Sequence, residues 1–155
     1  MMATASAGAG SRPDAAYWVI AVILLLWALG GASIYVAYFV ESPQQFSMTA
    51  EDAEHREAYA EYIANIPAWA IAVGIIAAAA RLLGAIGLLL RRAWAVPLYV
   101  ISAIFFLAAL YRAFVLAGVA KVMSAPHIAV EVVFLFLSLF AIWFSLRSKA
   151  KGVLR

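Results

Sequence analysis

Three ionisable residues, Arg81, Arg112 and Glu131, lie inside or at the edge of long stretches that otherwise carry no charge. A charge at the centre of a bilayer costs about 2.5–3.5 kcal/mol even on lenient insertion scales, so such residues usually face other helices and mark function. The chain has no Cys, which excludes disulfides, thiol catalysis and thiolate metal sites. The available chemistry is therefore that of guanidinium, carboxylate and hydroxyl groups.

The overall composition is that of a membrane protein. Of the 155 residues, 68% are hydrophobic and 12% are charged, whereas a soluble domain is near half apolar and a quarter charged. The mean hydropathy of +1.00 agrees. This excludes a water-soluble enzyme, a nucleic-acid binder and a disordered tail. The length suits about four spans of ~20 residues, so the sequence predicts an all-α, integral membrane four-helix bundle.

The charge-free stretches predict the positions of the spans, at residues 17–40, 67–90, 94–117 and 127–146. The second span includes Arg81, because ending it there would leave the apolar residues 82–90 outside the membrane. Residues 1–16 are predicted to be a flexible tail and residues 147–155 a basic tail. The first span is too long for a cleaved signal peptide.

The basic residues predict the orientation. Seven Lys and Arg residues fall on the side of the two tails and the loop between the second and third spans, and only Arg56 and Lys121 fall on the other. Positive residues stay in the cytoplasm, so both termini are predicted to be cytoplasmic, in a bacterial inner membrane. The pI near 9.4 indicates anchoring at anionic lipid and no nucleic-acid partner.

The loop between the first two spans is acidic and contains a pattern typical of a short helix. Thr49 followed by Asp52 resembles an N-cap with an acidic third position, and apolar residues then recur at roughly helical spacing. We predict an amphipathic outer helix at about residues 50–65. It is either a solvated connector or a lid over an outward-facing cavity.

The depths of the three charges follow from the rise of 1.5 Å per residue. Arg81 lies roughly 15 Å from Arg91, near the middle of a ~30 Å core. Arg112 and Glu131 lie roughly 9 Å and 6 Å below the outer surface, on consecutive helices, so we predict that they pair. The alternative for Arg112 is a side chain that reaches the headgroups.

Arg81 lies on a row of mostly small residues of its helix, and this row should face the bundle. The row consists of Ala70, Gly74, Ala77, Arg81, Gly84, Ala85 and Leu88. The axial offset of Arg81 from Glu131 is roughly 15 Å, too far for a direct pair. The predicted partners are backbone carbonyls, a bound anion, or the hydroxyls of Ser33, Tyr35, Ser102 and Ser138. Two interpretations stay open, a site for an anion or polar ligand and a structural polar network. With Arg112 and Glu131, these residues form the candidate substrate-binding set.

No cofactor, metal or catalytic site is predicted. His55 and His127 are too peripheral for a haem pair, and no metal-binding spacing such as H-E-x-x-H occurs. Because no nucleophile–base pairing is visible either, we do not expect an enzyme.

Several segments carry a resemblance to a known group. They are Pro67-Ala68-Trp69, Leu88 to Arg92, Ala95 to Leu98, the ending Lys151 to Arg155, and in addition Trp27, Gly30-Gly31 and Met48 to Glu51. Together they resemble small bacterial four-span inner-membrane proteins often labelled sugar transporters. The resemblance implies transport but assigns no residue roles. Small multidrug exporters differ, since they have a Glu in the middle of the first span, where this chain has none.

Two functions follow as expectations. The first is a carrier, or a carrier subunit, for a small polar solute; four helices enclose little volume, so this favours a homo-oligomer in the lipid bilayer. The second is a structural or accessory membrane protein that assembles with a larger complex and transports nothing itself. The solute, the direction of transport and any coupling ion are not determined by the sequence.

Overall fold

A computed structural model describes residues 12–40, 53–121, 123 and 125–155. These residues form helices and short connections and contain no β-strand, which confirms the all-α prediction. The α-helices are α1 (Ala15–Val40), α2 (Ala53–Ala64), α3 (Ala68–Leu89), α4 (Ala95–Tyr111) and α5 (Ala125–Ala150). The predicted outer helix corresponds to α2, and its first predicted residues, 50–52, lie outside the described residues.

Four of these segments are long and apolar enough to cross a membrane: Ala15–Ala37, Ala68–Leu89, Ala95–Leu116 and Ala125–Ala150. At 1.5 Å per residue each is more than 30 Å long, which matches the hydrocarbon core of a bilayer. The chain is therefore a multi-pass membrane protein. The last span is longer than the predicted 127–146, because α5 continues to Ala150. Its last turn contains Arg147 and Lys149, and positive charges near a helix C-terminus interact favourably with the helix dipole.

Helix α3 is the most buried span and packs against both α1 and α4. Its buried face consists largely of small residues, among them Gly74, Ala77, Gly84 and Ala85, with Arg81 in their midst. Small residues let helix backbones approach closely; a Cβ on Gly84 would lie 3.3 Å from the ring of Tyr99. The predicted small-residue row thus faces the interior of the bundle.

The end of the bundle that carries the C-terminus, here called the tail end, is closed by the last residues of the chain. Gly152 has a φ of 69°, which lets the chain reverse after α5. The backbone N–H of Ala93 donates to the carbonyl of Arg155, and that of Arg155 donates to the carbonyl of Arg91, both at 2.8 Å. Val153 and Leu154 are buried beside Tyr17 and Phe144. Residues 147–155 are therefore helical or docked against the bundle, which the prediction of a basic tail had not included.

The opposite end, here called the α2 end, has irregular backbone where α4 stops. Residues Arg112–Leu116 continue α4 as a π-helical segment, and Val119–Lys121 form a 3₁₀ turn after Gly118, whose φ is 59°. Segments of π-helix are rare in proteins, and those that do occur are often found at functional sites. Arg112 lies at the start of this segment.

The docked tail should contribute measurably to stability. Leu154 is only 5% exposed, so Leu154→Ala is expected to lower the free energy of unfolding by about 2–5 kcal/mol. Leu146→Ala is the matched control, because Leu146 is 49% exposed on α5, and in a bilayer such a side chain faces lipid, which is as apolar as leucine. Unfolding in a detergent titration measures both, and equal losses would contradict the docking of the tail.

Candidate functional site

Arg81 is buried inside the bundle, with 4% of its surface exposed. Its guanidinium carbon lies 4.4 Å from the ring centroid of Trp27, 5.2 Å from that of Phe106 and 5.5 Å from that of Phe134. Arg81 belongs to α3, and the three rings belong to α1, α4 and α5. Each of the four spans therefore contributes one side chain to this cluster.

The rings stabilise the charge without satisfying its hydrogen bonds. A desolvated guanidinium over aromatic faces gains about 2 kcal/mol or more from cation–π attraction. The Nε atom of Arg81 is nevertheless buried without a hydrogen-bond partner, as is Nε1 of Trp27. The prediction of hydroxyl partners for Arg81 is wrong for the serines, because aromatic rings occupy the space around the guanidinium.

The three predicted serines donate to backbone carbonyls. Ser102 donates to Ala77 at 2.8 Å, Ser138 donates to Phe134 at 2.8 Å, and the exposed Ser33 donates to Gly30 at 2.7 Å. Ser hydroxyls on helices commonly bond to the carbonyl three or four residues earlier, which accounts for Ser33 and Ser138. The bond from Ser102 is different, since it joins α4 to α3 one turn before Arg81.

Two adjoining cavities lead from the α2 end to Arg81. The smaller, of about 100 Å³, is lined by Arg81, Tyr35 and Glu131 among others. The larger, of about 210 Å³, extends to Arg112, Tyr59 and Tyr62 on the other side. Both cavities share five lining residues: Ile34, Tyr35, Phe106, Ala109 and Glu131. The structure thus brings four of the predicted site residues, Tyr35, Arg81, Arg112 and Glu131, to the walls of two neighbouring cavities.

Arg81 and Glu131 lie on the wall of the same small cavity, and each acts electrostatically on the other. No ion pair joins them within the described part of the chain, as the sequence-based offset predicts. The predicted axial offset did not, however, indicate that Arg81 and Glu131 line the same cavity. The offset counts only the backbone rise of upright helices, whereas helix tilt and side-chain length also decide which groups line one cavity.

Arg112 does not pair with Glu131, and that prediction is wrong. Its Nη1 donates to the hydroxyl of Tyr62 at 2.9 Å, and its guanidinium carbon lies 5.1 Å from the Tyr62 ring centroid. Tyr62 is on α2, which folds over the end of the bundle and provides the nearer acceptor. The spacing of residues along the spans does not indicate that α2 folds back over the end of the bundle.

Helix α2 covers the larger cavity with aromatic side chains. Tyr59 stacks on Tyr62 with ring centroids 6.0 Å apart, and it lies 5.9 Å from the His127 ring. Burial raises the pKa of Tyr59 to about 12 and raises that of Tyr62 despite the opposing effect of Arg112. Both hydroxyls therefore stay protonated at neutral pH and line the cavity as neutral hydrogen-bonding groups.

Sequence reasoning missed the aromatic members of the site, Trp27, Phe106, Phe134, Tyr59 and Tyr62. Aromatic rings fit the apolar pattern of a span whether they face lipid or a cation. The only available signal was the presence of aromatic residues on each span at a depth near that of Arg81. Among the described residues, no group of three or more His, Asp or Glu could hold a metal ion.

Comparison with known proteins assigns no family. The chain matches no protein-family model, and neither a curated protein nor a solved structure is significantly similar to it.

The space beside the guanidinium can be tested with two adjacent glycines. A Cβ on Gly31 would lie 3.1 Å from Nη1 of Arg81 and 3.3 Å from the Phe134 ring, whereas a Cβ on Gly30 would meet nothing within 4 Å. Both changes to Ala gain the same helix propensity, roughly 1 kcal/mol. We expect Gly31→Ala to be about 1–3 kcal/mol less stable than Gly30→Ala because of overpacking. Equal unfolding free energies would show that the guanidinium is not held there.

Proposed function

We propose that this chain is an integral membrane protein that binds a small polar solute between its spans and moves it across the bilayer, as a carrier or a subunit of one. The observation that carries this proposal is the buried guanidinium of Arg81, whose Nε lacks a partner and which lines a cavity with Glu131 and Tyr35. Ionisable groups within spans are costly and typically mark substrate pathways. A purely structural arginine would be expected to satisfy its N–H groups.

The size and lining of the cavities support a small solute. Their volumes of about 210 and 100 Å³ fall below the roughly 300–1,000 Å³ of sites for drug-sized ligands. Apolar and aromatic walls surround a few polar groups, which is the usual composition of a binding pocket. The resemblance to four-span proteins labelled sugar transporters supports transport but does not identify the solute.

The membrane and the orientation belong to the same proposal. The excess of Lys and Arg on the side of the tails and of the α3–α4 turn supports a bacterial inner membrane with both termini in the cytoplasm. In that orientation α2 and the larger cavity face the outside, and the docked tail closes the cytoplasmic end. A homo-oligomer remains part of the proposal, since four spans enclose little space.

The alternative is an accessory protein of a larger membrane complex. Its main support in the sequence was the row of small residues, which can form helix–helix interfaces. In the structure Gly74, Ala77 and Gly84 are buried inside the chain itself, so this row is not free for a partner. Purification in mild detergent distinguishes the two functions, because one stoichiometric partner protein would favour the accessory role.

Transport should depend on Arg81. Proteoliposomes containing the protein are expected to take up at least one of a sugar, a small amino acid and an inorganic anion faster than empty vesicles do. Arg81→Gln should reduce that uptake about tenfold or more, since losing a charged hydrogen bond to a buried ligand costs about 1.5–3 kcal/mol. Arg92→Gln, on the exposed α3–α4 turn, is the control. The proposal would be refuted if the wild-type protein took up none of these solutes, or if Arg81→Gln and Arg92→Gln took them up equally.

The water path can be mapped with introduced cysteines, because the natural chain has none. Ala109 lines both cavities, whereas Leu107, two residues earlier on α4, is 49% exposed on the outer face. A small charged methanethiosulfonate reagent should label Ala109→Cys from the α2 side and leave Leu107→Cys in the lipid unlabelled. Labelling of Ala109→Cys from neither side would contradict an aqueous path to the site.

A further inference from the structure

Opposite charges face one cavity in the middle of the bundle without touching each other. Arg81 and Glu131 both line the space of about 100 Å³, and no ion pair joins them in the part of the chain that the structure describes. In a medium of low dielectric constant, opposite charges attract strongly, and a buried charge without a partner is costly. The separation of these two groups therefore indicates that a third, polar species belongs between them.

The surroundings of Arg81 restrict how that species can approach. Trp27 lies over the guanidinium at 4.4 Å, and the rings of Phe106 and Phe134 lie 5.2 and 5.5 Å away. These rings occupy the space around the guanidinium, while its Nε–H has no acceptor among the described residues. The planar fork of N–H donors in a guanidinium matches the two oxygens of a carboxylate.

Glu131, which lines the same cavity, requires a hydrogen-bond donor from the ligand. An ionised Glu131 only accepts hydrogen bonds, so a ligand that satisfies it must donate them, and an ammonium group does so with a compensating charge. Tyr35 lines both cavities together with Glu131, and its hydroxyl can donate or accept a hydrogen bond. A ligand with one charge would leave the second charge of the protein uncompensated.

We infer that the cavity binds a small zwitterion of the α-amino acid type, with its carboxylate on Arg81 and its ammonium on Glu131. This inference rests on the proposed function and names its solute class. The small volume and the adjoining apolar residues, such as Ile34 and Ala109, favour a short apolar side chain.

The wild-type protein alone provides the first test. Full-length protein in nanodiscs is titrated with radiolabelled L-alanine, and binding is competed with propionate, which lacks the ammonium, and with ethylamine, which lacks the carboxylate. We expect each single-charge analogue to bind about tenfold or more weakly than L-alanine, because it leaves one buried charge unpaired. Propionate binding as tightly as L-alanine would overturn the role of Glu131 and with it the inference.

Variants then assign each end of the ligand. Glu131→Gln should weaken L-alanine and remove most of its advantage over propionate, and Arg81→Gln should do the same relative to ethylamine. The exposed Glu61 provides the control Glu61→Gln, which should leave all affinities unchanged. If either site variant fails to fold, as thermal unfolding would show, the wild-type competition still decides the outcome.

Two further probes separate this inference from the proposed function. Glucose and inorganic phosphate are titrated under the same conditions. Binding of either one in an Arg81-dependent manner, without binding of L-alanine, would overturn the zwitterion and leave a solute site standing. Binding of no probe, together with no uptake in proteoliposomes, would overturn both.

Discussion

The enclosure of one guanidinium by three aromatic rings is the interaction on which the bundle depends. Arg81 lies roughly 15 Å from Arg91 along the chain of α3, and its charge is stabilised by rings from the three other spans. All four spans must therefore meet around Arg81. Glycines make the meeting possible, since a Cβ on Gly74 would collide with Tyr35 and one on Gly31 would crowd Arg81.

The two ends of the bundle differ in how they are closed. At the tail end, backbone hydrogen bonds of Arg155 and the buried side chains of Val153 and Leu154 close the core. At the α2 end, a hydrogen bond from Arg112 to Tyr62 and stacked tyrosines cover a cavity. In the proposed transport function, the solute would enter from the α2 end, next to the π-helical segment.

The positions of the spans and the inward orientation of Arg81 were predictable from the sequence. Membrane spans are set by the length of uninterrupted apolar residues, which is a local property. Likewise, the small residues around Arg81 lie on one face of a single helix, so their spacing alone predicts close packing. An outer helix between the first two spans was also predictable, because helical spacing of apolar residues is a local property of the sequence. The structure has α2 at Ala53–Ala64.

What surrounds each charge was decided only by the tertiary structure. Spacing along a helix fixes depth, but the rotation and tilt of neighbouring helices arise from their packing. For this reason Arg81 contacts rings instead of the serine hydroxyls, and Arg112 contacts Tyr62 on a helix that folds back over the bundle. The sequence determined which charges fall within the apolar helices and how far along each helix they lie. Packing among the spans determined their partners, because an aromatic residue reads as apolar whether it faces lipid or a cation.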